Sequence, residues 1–243
     1  MNPIIIIPAR LAATRLPNKP LADIHGRPMI LHVWQRAMAA SLGRVVVAAG
    51  DEEIMEVVTA AGGEAMMTDP ALPSGTDRVA AALAALDPGN KHDVVVNVQG
   101  DLPNIESETL RAVVEALAAV PGADITTPAA VITREEELHT NSVVKIAAEI
   151  TPGAQHGRAV YFSRNLIPSG AGAHYHHIGV YAFRRAALEK FMALPPSALA
   201  LRENLEQLRA LAGGMHIEMV LVGQIPQPVD TAEDLARVRE LLK

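Results

Sequence analysis

Two observations predict an α/β fold that combines a mostly parallel sheet with an inserted lobe of mixed sheet. In the first half of the chain, short runs of Ile and Val alternate with segments of helical periodicity. Continuous apolar runs are typical of strands buried on both faces, and β-α-β alternation predicts a parallel sheet with right-handed crossovers. After Asp124 regular helices no longer separate the strands, which indicates the inserted lobe.

The elements of the first half follow from composition and period. Runs rich in Ile, Val, Ala or Met predict strands at Ile4–Ile7, Arg44–Ala48, Ala65–Met67 and Val94–Val98. Helical periodicity predicts helices at Met29–Ala40, Asp51–Ala61, Thr76–Leu86 and Ser107–Ala119. The first of these helices has the clearest apolar face, formed by Met29, Ile30, Val33, Trp34 and Ala37.

The second half is less regular. Its predicted strands are Ile125–Thr127, Val143–Ala147, Ala159–Phe162, Ile178–Phe183 and Glu218–Val222. Its predicted helices are Leu188–Leu194, Arg202–Ala212 and Ala232–Leu242. Thr231 is the expected N-cap of the last helix, with Asp234 at the third helical position. We therefore expect a single domain over 1–243, with the lobe roughly within 125–212.

Composition narrows the class of protein. The chain has 243 residues, of which 49% are hydrophobic, enough for the core of one α/β domain. The absence of Cys excludes disulfides and thiolate metal sites. A net charge of −6 argues against non-specific binding to long nucleic acid. The apolar run Met1–Ile7 is too short to span a membrane and lacks the features of a signal peptide. We expect a cytoplasmic protein without a nucleic-acid or membrane partner.

A basic loop follows the first predicted strand, with the sequence PARLAATRLPNKPL at residues 8–21. It places Arg10, Arg15 and Lys19 beyond the carboxyl end of a strand, where ligands of open α/β sheets bind. Small residues between these cations let backbone N–H groups approach an anion. A solvated surface loop is the alternative, but the position after the first strand favours a polyphosphate site. The pattern is neither GxxxxGK[ST] nor GxGxxG.

This segment resembles the signature of the CMP-3-deoxy-D-manno-octulosonate (CMP-KDO) synthetases, which is close to PARxxSxRLPGKPL. Asn18 replaces the commoner Gly, and Ala13 or Thr14 stands in place of Ser. Asn tolerates left-handed backbone angles, so we expect the turn to survive. The resemblance implies a nucleotide-diphospho-sugar transferase-like (Rossmann-like) fold. It also implies that Arg10 and Lys19 bind the β- and γ-phosphates of CTP and act in catalysis.

Two more motifs extend the resemblance around the nucleotide. SGTDR at 74–78 matches the family, although Ser74 or Thr76 could simply cap the following helix. Gln99, in VNVQGDLP at 96–103, is a candidate reader of the pyrimidine. The nucleotide-binding residues that the resemblance implies are Ala9, Arg10, Arg15, Lys19, Ser74, Thr76, Arg78 and Gln99.

Two carboxylates are candidate Mg²⁺ ligands. Asp101 follows a buried strand and a Gly, and Asp230 begins VDTAEDL at 229–235, which also matches the family. Mg²⁺ commonly takes one or two carboxylates together with phosphate oxygens and water. Each residue could instead be a turn residue or a helix N-cap. The resemblance favours the metal role for both, and a catalytic role for Asp101.

Three motifs of the second half match family elements that hold the sugar: YFSR at 161–164, HHIGVY at 176–181 and ENLEQLR at 203–209. Ser and Arg side chains can hold a carboxylate, which KDO carries. His176 is expected to be a structural imidazole. The sugar-binding residues implied by the resemblance are Ser163, Arg164, His177, Tyr181, Glu206 and Gln207.

The resemblance thus implies an enzyme that transfers CMP from CTP to KDO, releases pyrophosphate and supplies lipopolysaccharide synthesis. It implies Mg²⁺ as cofactor and a homodimer as the assembly. No residue stands out as a general base. Three alternatives remain: a cytidylyltransferase for another acidic sugar, a catalytically inactive nucleotide-binding protein, and a glycosyltransferase. The last usually carries an Asp-x-Asp metal motif, which Gln99-Gly100-Asp101 is not.

Overall fold

A computed structural model of the chain describes residues 1–12 and 15–243. Ala13 and Thr14, which stand at the Ser position of the family signature, lie outside the described residues. The chain divides into two compact units, one formed by Met1–Arg111 with Pro226–Lys243 and the other by Ala112–Ile225. The lobe predicted within 125–212 falls inside the second unit. No helix of the described ranges is long and apolar enough to cross a bilayer.

The first part of the chain forms short strands and helices in alternation. In chain order they are β1 (Pro3–Ala9), β2 (Asp23–Ile24), β3 (Arg27–Pro28), α1 (Met29–Ala39), β4 (Arg44–Ala49), α2 (Glu52–Ala60), β5 (Glu64–Met67), α3 (Gly75–Leu86) and β6 (Val94–Val98). A short 3₁₀ helix at Lys19–Leu21 follows β1, and α4 (Ser107–Ala119) contains the division between the units.

The sheet of the first unit has the order β5-β4-β1-β6, and its pairings are parallel as predicted. β1 lies between β4 and β6, so all seven of its residues are buried. Its central residues Ile4–Ile7 have no exposed surface. Burial of each Ile contributes roughly 1.5–3 kcal/mol, which explains why a run of four specifies the central strand. The carboxyl ends of these parallel strands meet at one edge of the sheet.

A hairpin that the sequence did not predict holds the loop after β1. β2 and β3 are joined by His25 and Gly26, whose φ angles of 52° and 78° give a turn with two left-handed residues. Such turns match the twist of a two-stranded hairpin and favour Gly. Ile24 of the hairpin packs with Met29 and with the C-terminal residues Val229, Leu235 and Val238 in one apolar cluster. This cluster brings the chain terminus next to the loop that carries Lys19.

The second part of the chain continues in the order β7 (Ile125–Val131), α5 (Glu135–His139), β8 (Lys145–Glu149), β9 (His156–Ser163), β10 (Tyr175–His177), β11 (Val180–Arg184), α6 (Arg185–Ala193), α7 (Ala198–Glu203), α8 (Gln207–Ala212), β12 (Ile217–Leu221) and α9 (Ala232–Leu241). The strands of the second unit have the order β10-β8-β9-β12-β7-β11. β12 is parallel to β7, while the other pairings are antiparallel. The prediction of a mixed sheet is therefore confirmed.

One predicted helix is wrong. The segment Arg202–Ala212 was expected to form a single helix, but α7 ends at Glu203 and α8 begins at Gln207. Asn204 lies between them with a φ of 53°, a left-handed conformation that Asn adopts more easily than most residues and that ends a helix. The prediction for the last helix is confirmed, because Thr231 and Asp234 form a reciprocal capping box at its start.

Candidate active site

The carboxyl end of the parallel sheet in the first unit opens into a cavity of about 270 Å³. Its lining residues come from the ends of β1 and β6, the Lys19 loop and the start of α3. They are Pro8, Ala9, Arg10, Ala12, Lys19, Pro20, Ser74, Gly75, Arg78, Gln99, Gly100 and Asp101. Six of the eight predicted nucleotide-binding residues are among them, and Arg15 and Thr76 are not.

Gly100 allows the ends of β1 and β6 to meet closely beside the cavity. A Cβ atom at this position would lie 3.0 Å from the carbonyl oxygen of Pro8 and 3.7 Å from the Cβ of Ala9. A side chain would therefore push the two strand ends apart. The glycine keeps Gln99 and Asp101 next to the loop that begins at Ala9.

Lys19 bridges two carboxylates. Its Nζ lies 2.8 Å from Oδ2 of Asp101 and 3.0 Å from Oδ1 of Asp230. Burial alone would lower the pKa of Lys19, but Asp101 and then Asp230 outweigh it and raise the pKa above its ordinary value. Asn18 precedes it with φ 55° and ψ 28°, so the left-handed turn expected of this Asn is confirmed.

Asp230 is not the N-cap of α9, because Thr231 fills that position. The carboxylate of Asp230 instead contacts Lys19 and, at 3.0 Å, Nη2 of Arg15. The backbone N–H of Val229 donates to the carbonyl of Asp101 at 3.0 Å and holds the two acidic segments together. The helix-cap alternative for Asp230 is therefore wrong.

The two carboxylates fit the Mg²⁺ site that the sequence predicts. Both lie within reach of one small cation, since the single ammonium of Lys19 contacts Asp101 and Asp230. Carboxylate oxygens are hard donors of the kind Mg²⁺ binds, with phosphate and water completing its shell. Within residues 1–12 and 15–243, no group of three or more His, Cys, Asp or Glu residues could hold a metal ion. Two protein ligands match a metal that also binds phosphate.

The two arginines that line the cavity differ in exposure. Arg10 is exposed, and its Nη1 lies 3.5 Å from the carbonyl of Leu72. Arg78 is almost completely buried and donates to the hydroxyl of Thr68 and, at 3.1 Å, to the carbonyl of Asp69. Burial, and then the charge of Arg10, lower the pKa of Arg78. Arg78 thus contributes a positive charge to the cavity and braces the 68–70 segment.

The SGTDR motif forms the start of α3. Ser74 is its N-cap and accepts a hydrogen bond from the backbone N–H of Asp77 at 3.1 Å. Thr76 is buried, and its hydroxyl accepts from Nδ2 of Asn97 at 3.3 Å. Oδ1 of Asn97 in turn accepts from Nε2 of Gln99 at 3.0 Å. Thr76 therefore reaches the cavity through a chain of hydrogen bonds that ends at Gln99.

In the second unit, Glu203 gathers the residues of the YFSR motif. The hydroxyl of Ser163 donates to its carboxylate at 3.1 Å, and the hydroxyl of Tyr161 does so at 3.4 Å. The guanidinium of Arg164 donates to the carbonyls of Glu203 at 3.2 Å and of Asn141 at 3.0 Å. These contacts fix Ser163 and Arg164 at the end of β9.

Four aromatic side chains and His177 form a row through the second unit. The ring of His177 lies 5.2 Å from Phe162 and 5.6 Å from Tyr181, and the row continues through Phe183 to Phe191. Burial lowers the pKa of His177 to about 3 and raises the pKa of Tyr181 far above its ordinary value. Both side chains are neutral at pH 7, so they can offer hydrogen bonds and apolar contact but no charge.

Gln207 is the first residue of α8 and is 6% exposed. Its Nε2 is buried and has no hydrogen-bond partner among the described residues. A buried amide without a partner costs about 1–3 kcal/mol, and a bound ligand is one way to satisfy it. Glu206, directly before it, is exposed. His176, the predicted structural imidazole, faces Oε2 of Glu137 at 3.3 Å.

Sequence reasoning missed three polar residues around these sites. Glu203 belongs to the matched motif ENLEQLR at 203–209. Its hydrogen bond with Ser163 depends on the end of α7 at this residue. Asn97 interrupts the apolar strand β6, Lys145 is the first residue of β8, and neither has exposed surface. Lys145 donates to the carbonyls of Thr140, Val143 and Arg164. A polar residue inside an apolar strand was the available signal.

Known proteins match this chain over nearly its whole length. A family model described as Cytidylyltransferase matches residues 4–217. The 3-deoxy-manno-octulosonate cytidylyltransferase of Rhodospirillum centenum is 59% identical over 241 residues, covering 99% of this chain and 93% of that protein. The enzyme of the same name from Paramagnetospirillum magneticum is 55% identical over 243 residues, covering 100% and 98%.

Solved structures show the same likeness. The structure of CMP:2-keto-3-deoxy-manno-octonic acid synthetase complexed with CTP matches with a TM-score of 0.90 at 35% identity, over 100% of this chain and 98% of that one. A nucleotidyl transferase from Methanothermobacter thermautotroptrophicus matches with a TM-score of 0.61 at 16% identity, over 98% and 96%. At that identity the second likeness concerns the fold alone. The predicted nucleotidyltransferase fold is confirmed.

Proposed function

The chain belongs to the cytidylyltransferase family, and we propose that it transfers CMP from CTP to KDO, with release of pyrophosphate. The observation that carries this proposal is the cavity at the carboxyl end of the parallel sheet, with Lys19, Asp101 and Asp230 joined at its edge. The named relatives support KDO over another acidic sugar. They also favour an active enzyme over an inactive nucleotide-binding protein or a glycosyltransferase.

At the α-phosphorus, the reaction forms one P–O bond and breaks another. The anomeric hydroxyl oxygen of KDO attacks the α-phosphorus of CTP, the bond between this phosphorus and the bridging oxygen to the β-phosphate breaks, and the hydroxyl proton leaves to solvent. Pyrophosphate departs with the bridging oxygen. Arg10 and Lys19 stabilise the negative charge that develops on this leaving group, as preorganised cations do in phosphoryl transfer.

Mg²⁺, held by Asp101 and Asp230, would neutralise phosphate charge and orient the reacting groups. In the structure the ammonium of Lys19 lies between the same two carboxylates. Metal binding by these carboxylates would compete with their ion pairs to Lys19. The phosphates of CTP offer the ammonium a new anionic partner, so the nucleotide and the metal are expected to enter together.

The residues of the second unit provide the groups that an acidic, hydroxyl-rich sugar needs. Arg164 supplies a cation for the carboxylate, supported by Ser163. His177 and Tyr181 are neutral, and the amide of Gln207 has a donor without a partner in the described part of the chain. With Glu206, these side chains make the proposed sugar site. The proposal also includes a homodimer, a cytoplasmic location and a part in lipopolysaccharide synthesis, which rest on the family resemblance.

A substrate panel tests the proposed function. We expect pyrophosphate release to require both a sugar acid and a nucleotide, with CTP far more effective than ATP or GTP and KDO more effective than sialic acid. The proposed pyrimidine reader Gln99 accounts for the first preference. The proposed contacts of Arg164 and Ser163 with the sugar carboxylate account for the need for an acid. Comparable rates with ATP, or release that does not depend on the sugar acid, would contradict the proposal.

A further inference from the structure

Asn97 is a buried amide in the middle of an apolar strand. β6 consists of Val94, Val95, Val96, Asn97 and Val98, all buried, and Asn97 has no exposed surface. A buried amide is costly unless its donor and acceptor are both paired. Asn97 meets this condition by donating to the hydroxyl of Thr76 and accepting from Nε2 of Gln99.

One partner of Asn97 lines the cavity, and the other is next to lining residues in the chain. Gln99 lines it directly, and Thr76 lies in the first turn of α3, behind the lining residues Ser74 and Gly75. Asn97 itself does not line the cavity. Its side chain therefore acts on a ligand only through the groups that it holds.

The hydrogen bonds among Thr76, Asn97 and Gln99 fix which end of the Gln99 amide faces the cavity. A primary amide has a donor and an acceptor, which exchange places when the group turns by 180°. Because Nε2 of Gln99 is tied to Asn97 at 3.0 Å, its Oε1 is left on the side of Gly75. A Cβ atom on Gly75, which lines the cavity, would lie 3.3 Å from Oε1 and 3.7 Å from Nε2, so Oε1 is the nearer of the two amide atoms.

We infer that Asn97 is a positioning residue, which holds the amide of Gln99 with its carbonyl oxygen toward a hydrogen-bond donor of the bound substrate. This inference rests on the proposed function of the cavity. Cytosine carries an exocyclic amino group where uracil carries a carbonyl, so an acceptor at this place selects CTP over UTP. The hydroxyl groups of the ribose and of the sugar acid are the other donors with this chemistry.

The test compares Asn97→Leu, Gln99→Leu and the double variant. The kcat/KM ratio of CTP to UTP should fall about ten-fold in Asn97→Leu, the effect of one hydrogen bond. Adding Asn97→Leu to Gln99→Leu should change this ratio little further, because both substitutions remove the same interaction. A fall in the ratio of CTP to 2′-deoxy-CTP instead would assign the donor to the ribose, and a rise in KM for KDO would assign it to the sugar acid.

Val95→Ala is the matched control, since it creates a cavity in the same strand without touching Gln99. It should lower the melting temperature and leave all three substrate preferences unchanged. If Asn97→Leu does not fold, Thr76→Val removes the hydroxyl that orients Asn97 and should lower the same preference. Unchanged preferences, or full additivity in the double variant, would overturn the inference. That outcome, with a wild-type enzyme active on CTP and KDO, leaves the proposed function intact.

Discussion

Asp101→Asn and Asp230→Asn are each expected to reduce turnover by about a hundred-fold or more, because several kcal/mol of transition-state stabilisation depend on the metal that these carboxylates would hold. Asn keeps the size of the side chain but loses the charge. The Mg²⁺ concentration needed for half-maximal activity should also rise. Steady-state rates measured over a range of Mg²⁺ concentrations check both expectations.

Thr231→Ala is the control for these variants. Thr231 is next to Asp230 and is the true N-cap of α9, so its loss should cost about 1 kcal/mol of stability. Its Mg²⁺ requirement should equal that of the wild type. If both Asn variants turned over normally at low Mg²⁺, Asp101 and Asp230 would not be the metal site.

Lys19→Met is expected to change catalysis and metal binding in opposite directions. Loss of a charge-assisted contact to the phosphates, worth about 1.5–3 kcal/mol, should lower kcat/KM at least about ten-fold. Without CTP, however, the variant should bind Mn²⁺ more tightly than the wild type, because the ammonium no longer lies between Asp101 and Asp230. Electron paramagnetic resonance of free Mn²⁺ measures this binding without any turnover.

Arg15→Met is the matched comparison for Lys19. Among the described residues, Arg15 forms an ion pair with Oδ2 of Asp230 alone, and its side chain is 66% exposed, so the change in Mn²⁺ affinity should be much smaller. Equal Mn²⁺ binding by wild type and Lys19→Met would mean that Lys19 does not compete for the metal site. Full activity of Lys19→Met would place the phosphates of CTP elsewhere.

The parallel sheet could be predicted because β1, β4 and β6 contain runs of buried Ile or Val, a pattern that depends on local sequence. The β2–β3 hairpin could not, since each strand has two residues and the turn is His25-Gly26 rather than a common turn pair. The break between α7 and α8 depends on a single left-handed Asn204 within an otherwise helical pattern. Two-residue strands and single backbone angles leave no periodic pattern in the sequence from which they could be predicted.

The candidate site, like the fold, could be predicted only in part. The residues of the basic loop at 8–21 could be singled out from their position after β1 and from their family motif. The bridge that Lys19 makes could not be predicted, because Asp101 is 82 residues away and Asp230 is 211 residues away. The packing of Ile24 and Met29 against Val229 and Leu235, together with the hydrogen bond from Val229 to Asp101, brings these segments together. Contacts of this kind depend on tertiary structure.

Transfer of the α-phosphate to the sugar is the central claim, and a labelling experiment tests it most directly. The protein is incubated with KDO, Mg²⁺ and CTP labelled with ³²P at the α-phosphate, and the products are separated. We predict that the label appears in a KDO-dependent nucleotide sugar while the pyrophosphate stays unlabelled. Label that remains in CTP in the presence of KDO, or that appears in CMP without a sugar product, would contradict the account.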